Sequence, residues 1–193
     1  MGRGAKKKAA KAKCKSRKAA KEKYGACKKC GGKHTCPDEC ILSTWKPNCC
    51  PKKNGVRMTP HHVVPKHCFV DDNGKLPDCQ DYAASSAPCI CVTGKSKIKT
   101  HGKIHKVFDR IENSYRDEAK GMHHEEGVWS YGEASRAGAS SVKKVTGCPY
   151  KCIKDQIDDY HGERGIKPET RLRADASGKI VKVMPSGEGG DGY

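Results

Sequence analysis

TPHHVVPKHCF, residues 59–69, sets His61, His62 and His67 within one short span, interrupted by a Val-Val pair and a proline. Histidine both ligates transition metals and exchanges a proton near neutral pH, so adjacent imidazoles suit a site that needs both. GVRMTPHHVVP reads as a short strand running into a turn, because β-branched and apolar residues precede the helix-breaking Pro65. In an extended segment neighbouring side chains face opposite ways, so His61 and His62 cannot both enter one cluster.

Outward from this stretch, DDNGKLPDCQ is rich in turn residues, and APCICVTG, residues 87–94, alternates as a second strand would. Beyond it, SKIKTHGKIHKVFDRIENSYRDEAK repeats Ile98, His101, His105 and Phe108 at helical spacing, with Ile104, Val107 and Ile111 widening the apolar face. Gly102 weakens that helix by about 1 kcal/mol relative to alanine, so its first turn is expected at or after Thr100. His101 and His105 stand one turn apart and point the same way. One histidine of the 61–62 pair can join them around a metal while the other stays free as a base. Three neutral imidazoles with an open position suit a catalytic metal better than a closed structural one. Further on, CPYKCIKDQIDDYH predicts a helix capped by Cys148 and opened by Pro149, with Cys152, Ile153, Gln156, Ile157 and Tyr160 able to close over a core.

Composition sets the surroundings. Only 35% of the 193 residues are hydrophobic, with two Phe and two Trp, so much of the chain must lie in loops or at the surface. The net charge of +17 is concentrated in the first 33 residues, a Lys/Ala-rich run that attracts polyanions, nucleic acid first among them. A solvated linker is the plainer reading of the same run. There is no apolar segment of signal-peptide or membrane-spanning length, so the sequence predicts a protein with no Sec-type leader and no membrane association. The opening Met-Gly before a linker-like run is compatible with a domain cut from a longer chain.

The thirteen cysteines are an odd number, which leaves at least one without a partner inside the chain. CKKCGGKHTCPDECILSTWKPNCC holds Cys27, Cys30, Cys36, Cys40, Cys49 and Cys50, and its C-x-x-C opening on a Gly-Gly turn has the form of a zinc knuckle. Structural Zn²⁺ on four of these thiolates, with His34 as a substitute, and disulfide staples are both compatible with so small a core; spacing does not separate them.

Together these segments resemble the HNH/endonuclease VII superfamily of nucleases, and TPHHVVPKHCF resembles in particular the bacterial polymorphic-toxin branch with an HHH motif. HHVVP is similar to the His-His turn of the superfamily, CVTGKSKIKTHGKIH to the strand-into-helix segment of colicin-type DNases, and GCPYKCIKDQIDDYH to a segment of the toxin branch. The resemblance implies an α+β protein with a small ββα-metal (His-Me finger) core over residues 56–115. That core would be preceded by a basic flexible segment over 1–24 and a Cys-rich segment over 25–55. A mainly helical extension over 116–175 and a disordered tail over 176–193 would follow. It implies His61, His101 and His105 as ligands of one divalent metal, Mg²⁺, Mn²⁺ or Zn²⁺, and His62 as general base. The superfamily's central asparagine has no counterpart in APCICVTG, so some other group, such as a backbone carbonyl, must orient His62; His67 has no assigned role. Arg57, Lys66, Lys97, Lys99 and Lys103 are candidate phosphate contacts. The implied activity is that of a metal-dependent DNase with little sequence preference, delivered as an antibacterial effector into a target cell's cytoplasm. Delivery would be by a type VI or contact-dependent apparatus or a PAAR/Rhs-type carrier, and an acidic immunity protein would guard the producer. A zinc-stabilised nucleic-acid-binding protein without hydrolytic activity and an RNase toxin are the alternatives.

Overall fold

A computed structural model describes residues 15–25, 36–95, 97–118 and 127–176. Among these the chain is mixed α+β, with small sheets and four α-helices. The central sheet has three strands in the order β1 (Ser43–Thr44), β7 (Pro88–Val92), β4 (Thr59–His62), antiparallel throughout. The minor strands β2 (Lys52–Lys53) and β3 (Val56–Arg57) form one hairpin, and β5 (Val70–Asp71) and β6 (Gly74–Lys75) another. Pro88–Val92 is buried along its whole length, which is why PCICV is apolar without interruption rather than alternating with polar residues.

From β7 the chain turns through Gly94, whose φ of +95° suits glycine, into helix α2 (Lys99–Glu118). The turn is pinned at both ends: His101 N–H donates to Thr93 O at 3.0 Å, and the Thr93 and Thr100 hydroxyls lie 2.9 Å apart. The helix thus begins one residue before the expected earliest start, and Ile98, expected on its apolar face, lies outside it and 59% exposed. Gly102 has a structural reason: a Cβ there would stand 2.1 Å from the Lys97 backbone, which crosses directly over it. Ile104 and Phe108 carry the buried face into the core with Val63, Phe69, Ile90 and Trp129.

Helix α3 (Tyr131–Thr146) opens with a capping box in which the Ser130 hydroxyl accepts from Glu133 N–H and the Glu133 carboxylate accepts from Ser130 N–H. Its buried face is built from small residues, among them Ala134, Ala137, Gly138 and Ser141. They let the helix lie directly on the backbone that leaves β4: a Cβ on Gly138 would come within 2.4 Å of the Val63 carbonyl oxygen. Helix α4 (Tyr150–Gly162) follows, with Pro149 as its N-cap and not its first residue. Strands β8 (Val128–Ser130) and β9 (Arg171–Arg173) pair antiparallel and close the helical half. This ribbon interrupts the mainly helical extension expected there. Its strands are three residues each and 40 residues apart in sequence, too short to show a period.

Two expectations for the N-terminal half are corrected. Residues 15–24 belong to no flexible arm: helix α1 (Lys15–Tyr24) forms from KSRKAAKEKY, in which the Lys, Arg, Ala and Glu residues are good helix formers. It is docked by Arg17 on Asp38 O, Lys21 on the Asp38 carboxylate and Tyr24 on Asp159. The Cys-rich stretch is not a separate module either. Cys36 bonds Cys152, Cys40 bonds Cys148 and Cys50 bonds Cys91, while Ser43–Thr44 joins the central sheet. Cys49 is disulfide-bonded as well. Of the two readings open for these cysteines, zinc knuckle or disulfides, disulfides are what the described ones form, with the partners of Cys36 and Cys50 lying 116 and 41 residues away along the chain. Cys27, Cys30 and His34 lie outside the described residues, as do the first fourteen residues of the basic segment and all but the start of the tail expected over 176–193.

Gly138→Ala should lower the melting temperature, although alanine is the better helix former by about 1 kcal/mol, because the methyl group meets a backbone carbonyl that has no rotamer to yield. A thermal melt that rises would show that α3 does not lie on Val63. His161 offers a second check. Its ring stacks on Phe69 at 4.9 Å between Tyr131 and Tyr160, and burial holds its pKa down at about 3. Unfolded, that ring takes a proton near pH 6.5, so its contribution is intact above 6.5 and is lost as pH falls toward 3, by up to about 1.4 kcal/mol per pH unit. The urea midpoint of His161→Phe should accordingly fall less between pH 7 and pH 4.5 than that of the parent chain.

Candidate active site

The β4–β7 register sets His61 opposite Ile90 and His62 opposite Cys89. His61 points to the helix side and is 2% exposed. There its ring meets those of His101 and His105 edge-on, each at 4.6 Å between centroids, while His101 and His105 stack on one another at 5.2 Å. One ligand atom from each of the three rings can be chosen so that all lie within 4.8 Å of one another. No hydrogen bond among the described residues links these rings.

Electrostatics keeps them uncharged. Burial, then the neighbouring imidazoles, lowers the His61 pKa well below its usual value and brings His101 down to about 4. His105 is lowered by burial too, against an upward pull from Asp109. Neutral rings keep a nitrogen lone pair, and His101 Nδ1 is buried with no partner. Three imidazoles with free lone pairs, so close and so shielded from water, fit a divalent transition metal, for which imidazole nitrogen is a standard ligand.

His62 is held differently. Its Nε2 lies 2.9 Å from Ala84 O and its ring stacks on Trp45 at 4.8 Å. A carbonyl oxygen only accepts, so Nε2 carries the proton and the Nδ1 lone pair is left free. Burial lowers the His62 pKa, with the Ala84 hydrogen bond opposing and Lys66 assisting. The ring is therefore uncharged at pH 7. Trp45 and Ala84 were not legible as site residues: the first is 17 positions away in ILSTWKPN, and the second acts through its backbone, which no side-chain pattern reveals.

The histidines line one cleft of about 1020 Å³. Lys66 and Lys97, two of the candidate phosphate contacts, line it together with Lys95, Lys106 and Asp109, which the sequence had not singled out. Asp109 does fall on the His101–His105 face by helical spacing. Lys99 and Lys103 are exposed on α2 but do not line the cleft, and Arg57 instead donates to Asn48 O at 3.2 Å in the outer hairpin. His67, at the cleft edge, has its Nε2 2.8 Å from a carboxylate oxygen of Glu112, whose side chain is fully buried. Cys68 completes a second group with metal-ligating atoms, but burial pushes its thiol pKa well up, so it is held as an uncharged thiol.

Residues 58–161, more than half of the chain, match the family model described as "GHH signature containing HNH/Endo VII superfamily nuclease toxin 2". The chain is also similar to the "DNase toxin Tse7" of Pseudomonas aeruginosa, at 27% identity over 155 residues. That alignment takes in 72% of this chain and 39% of the toxin's own length. No solved structure matches the chain. No helix among the described residues is long and apolar enough to cross a membrane.

Long-range proton–nitrogen spectra of His62 should report the Nε2–H tautomer at pH 7 and a titration midpoint below the usual 6.5. An Nδ1–H tautomer would contradict the Ala84 contact.

Proposed function

The chain belongs to the GHH-signature family of HNH/Endo VII superfamily nuclease toxins, and on that premise we propose that it is a metal-dependent endonuclease hydrolysing DNA phosphodiester bonds with little sequence preference. In this reading β4, β7 and α2 are the ββα-metal core, His61, His101 and His105 the ligands of one divalent ion, and His62 the general base. The observation that carries it is the convergence of three uncharged imidazoles beside a fourth whose Nδ1 is left free by a backbone hydrogen bond. DNA is favoured as substrate by the printed name of the similar toxin and by the strongly basic chain.

A phosphodiester is an anion that resists attack by water, so cleavage needs its charge offset and the water deprotonated. A divalent cation bound by the three imidazoles would supply positive charge to the scissile phosphate and the leaving oxygen. Lys66, Lys95, Lys97 and Lys106 line the cleft and hold the strand by its phosphates, contacts that position without reading bases. His62 takes the proton of the attacking water at Nδ1. The Ala84 carbonyl fixes the tautomer and the Trp45 ring fixes the plane, so the base is in place before substrate arrives. The positive charge that His62 gains is stabilised through its Nε2–H···O bond to Ala84. A nuclease made in a cytoplasm that holds its own substrate needs an inhibitor there. An acidic immunity protein fits a chain of net charge +17, and effector delivery by a type VI apparatus or a PAAR/Rhs-type carrier fits the toxin family.

Plasmid DNA incubated with the protein and Mg²⁺, Mn²⁺ or Zn²⁺, against a chelator control, tests the proposal. His62→Ala should abolish nicking and leave metal uptake intact, because a base acts only in the transition state. His105→Ala should lose both, since two imidazoles hold a divalent ion far more weakly than three. Cleavage by His62→Ala at the parental rate would sink the base assignment. RNA cut in preference to DNA would change the substrate, and DNA bound but never cut would make this a binding protein.

A further inference from the structure

His67, Cys68 and Glu112 have no part in the chemistry proposed above, yet they meet where the helical turn Lys66–Phe69 abuts α2. One ligand atom from each, a ring nitrogen, a sulfur and a carboxylate oxygen, lies within 4.8 Å of the other two. His67 Nε2 is 2.8 and 3.1 Å from the two Glu112 oxygens. Cys68 and the Glu112 side chain are fully buried, whereas the His67 side chain is 34% exposed and lines the cleft, which gives an ion a way in. The backbone under these side chains is fixed. Cys68 N–H donates to Pro65 O at 3.1 Å, Leu76 N–H donates to Phe69 O at 3.1 Å, and Glu112 stands on the same helix as His101 and His105.

A carboxylate removed from water is costly unless positive charge meets it. Burial raises the Glu112 pKa, the hydrogen bond and charge of His67 pull it back, and Asp109 and Asp175 push it further up. Burial, and then Glu112, also keeps the Cys68 thiol protonated, with Arg173 pulling the other way. Arg173 is itself 3.4 Å from Asp175. Three carboxylates therefore bear on one spot beside a single guanidinium, and a divalent cation there would offset their charge and draw the proton from the thiol.

We propose that His67 Nε2, Cys68 Sγ and one Glu112 oxygen bind one Zn²⁺, with water as the fourth ligand on the cleft side. On binding, the thiol gives its proton to solvent and the His67 ring carries its remaining proton on Nδ1, so Nε2 offers a lone pair. A tetrahedral ion with bonds of about 2.0–2.3 Å holds its ligand atoms roughly 3.3–3.8 Å apart, so the Nε2–oxygen pair need open only slightly and the sulfur close by about 1 Å. Thiolate with imidazole and carboxylate selects Zn²⁺ over Mg²⁺ or Ca²⁺. Glu112 lies roughly 10 Å beyond His105 along α2, so this is a centre separate from the three imidazoles. The ion would fasten the turn that follows β4 to the helix carrying His101 and His105, whether or not the chain is a nuclease.

The test is an anaerobic titration of the full chain, disulfides intact, with Co²⁺. Thiolate ligation gives a sulfur-to-cobalt charge-transfer band in the near ultraviolet, which a site made of imidazoles alone does not. Expected are that band in the parent chain, its bleaching by Zn²⁺, its loss in Cys68→Ala and its retention in Cys79→Ala. His67→Ala removes a partly exposed side chain and leaves the core alone; it should weaken the Co²⁺ affinity read from the band by about tenfold or more, since removing even an outer partner of a metal ligand costs that much. A parent chain without the band, a band of parental strength in Cys68→Ala, or an unchanged affinity in folded His67→Ala each overturns the proposal. DNA cleavage does not enter the readout, so the nuclease reading stands or falls separately.

Discussion

The antiparallel register between Thr59–His62 and Pro88–Val92 is the constraint on which the rest depends. Side chains alternate along a strand, so a slip of one residue would send His62 toward the helix and His61 toward Trp45. Several contacts lock it. Val63 N–H extends the ladder to Pro88 O at 3.2 Å, and Cys91 is tied to Cys50 on the strand's far side. Gly138 of α3 lies so close to the Val63 carbonyl that the exit of β4 cannot shift sideways. Helix α2 is tied to the same sheet through Thr93, which fixes where His101 and His105 stand relative to His61.

Given that frame, the electrostatics of the site follow from burial inside a basic protein. An imidazolium at His61 would be desolvated by burial and set beside His105, His101 and His62, and each of these penalises its charge. The rings therefore stay neutral, which is the form that offers lone pairs. His62 is neutral through the same burial but lines the cleft. Strand alternation thus gives the two adjacent histidines different surroundings, His61 against His101 and His105 and His62 against Trp45 and Ala84.

Much of this was legible in the sequence. The 59–62 strand, the 88–92 strand and the helix bearing His101 and His105 all follow from local periodicity, which is also why they were placed to within a few residues. What was not legible depends on distant partners. Ala84 orients His62 through a backbone oxygen, Lys97 explains Gly102 by a close approach, and Glu112 meets His67 from 45 residues away. The cysteines are the clearest case: the local C-x-x-C at Cys27 and Cys30 drew the eye, whereas the two C-P-x-x-C turns match one another across more than 100 residues.

Those turns also divide the cysteines by chemistry. Cys68, Cys79 and Cys89 are free and buried, and burial raises the pKa of each thiol. Exchange requires thiolate and access, so these three are poor partners for reshuffling. Cys36, Cys40, Cys148 and Cys152 instead sit where two segments meet, and opening either bridge leaves Gln156 still holding the turns in place. A change of redox state at that seam therefore alters how firmly α1 and the segment after Cys36 are held against α4. The β4–β7 register and the histidines it presents are held by hydrogen bonds and packing that this seam does not supply.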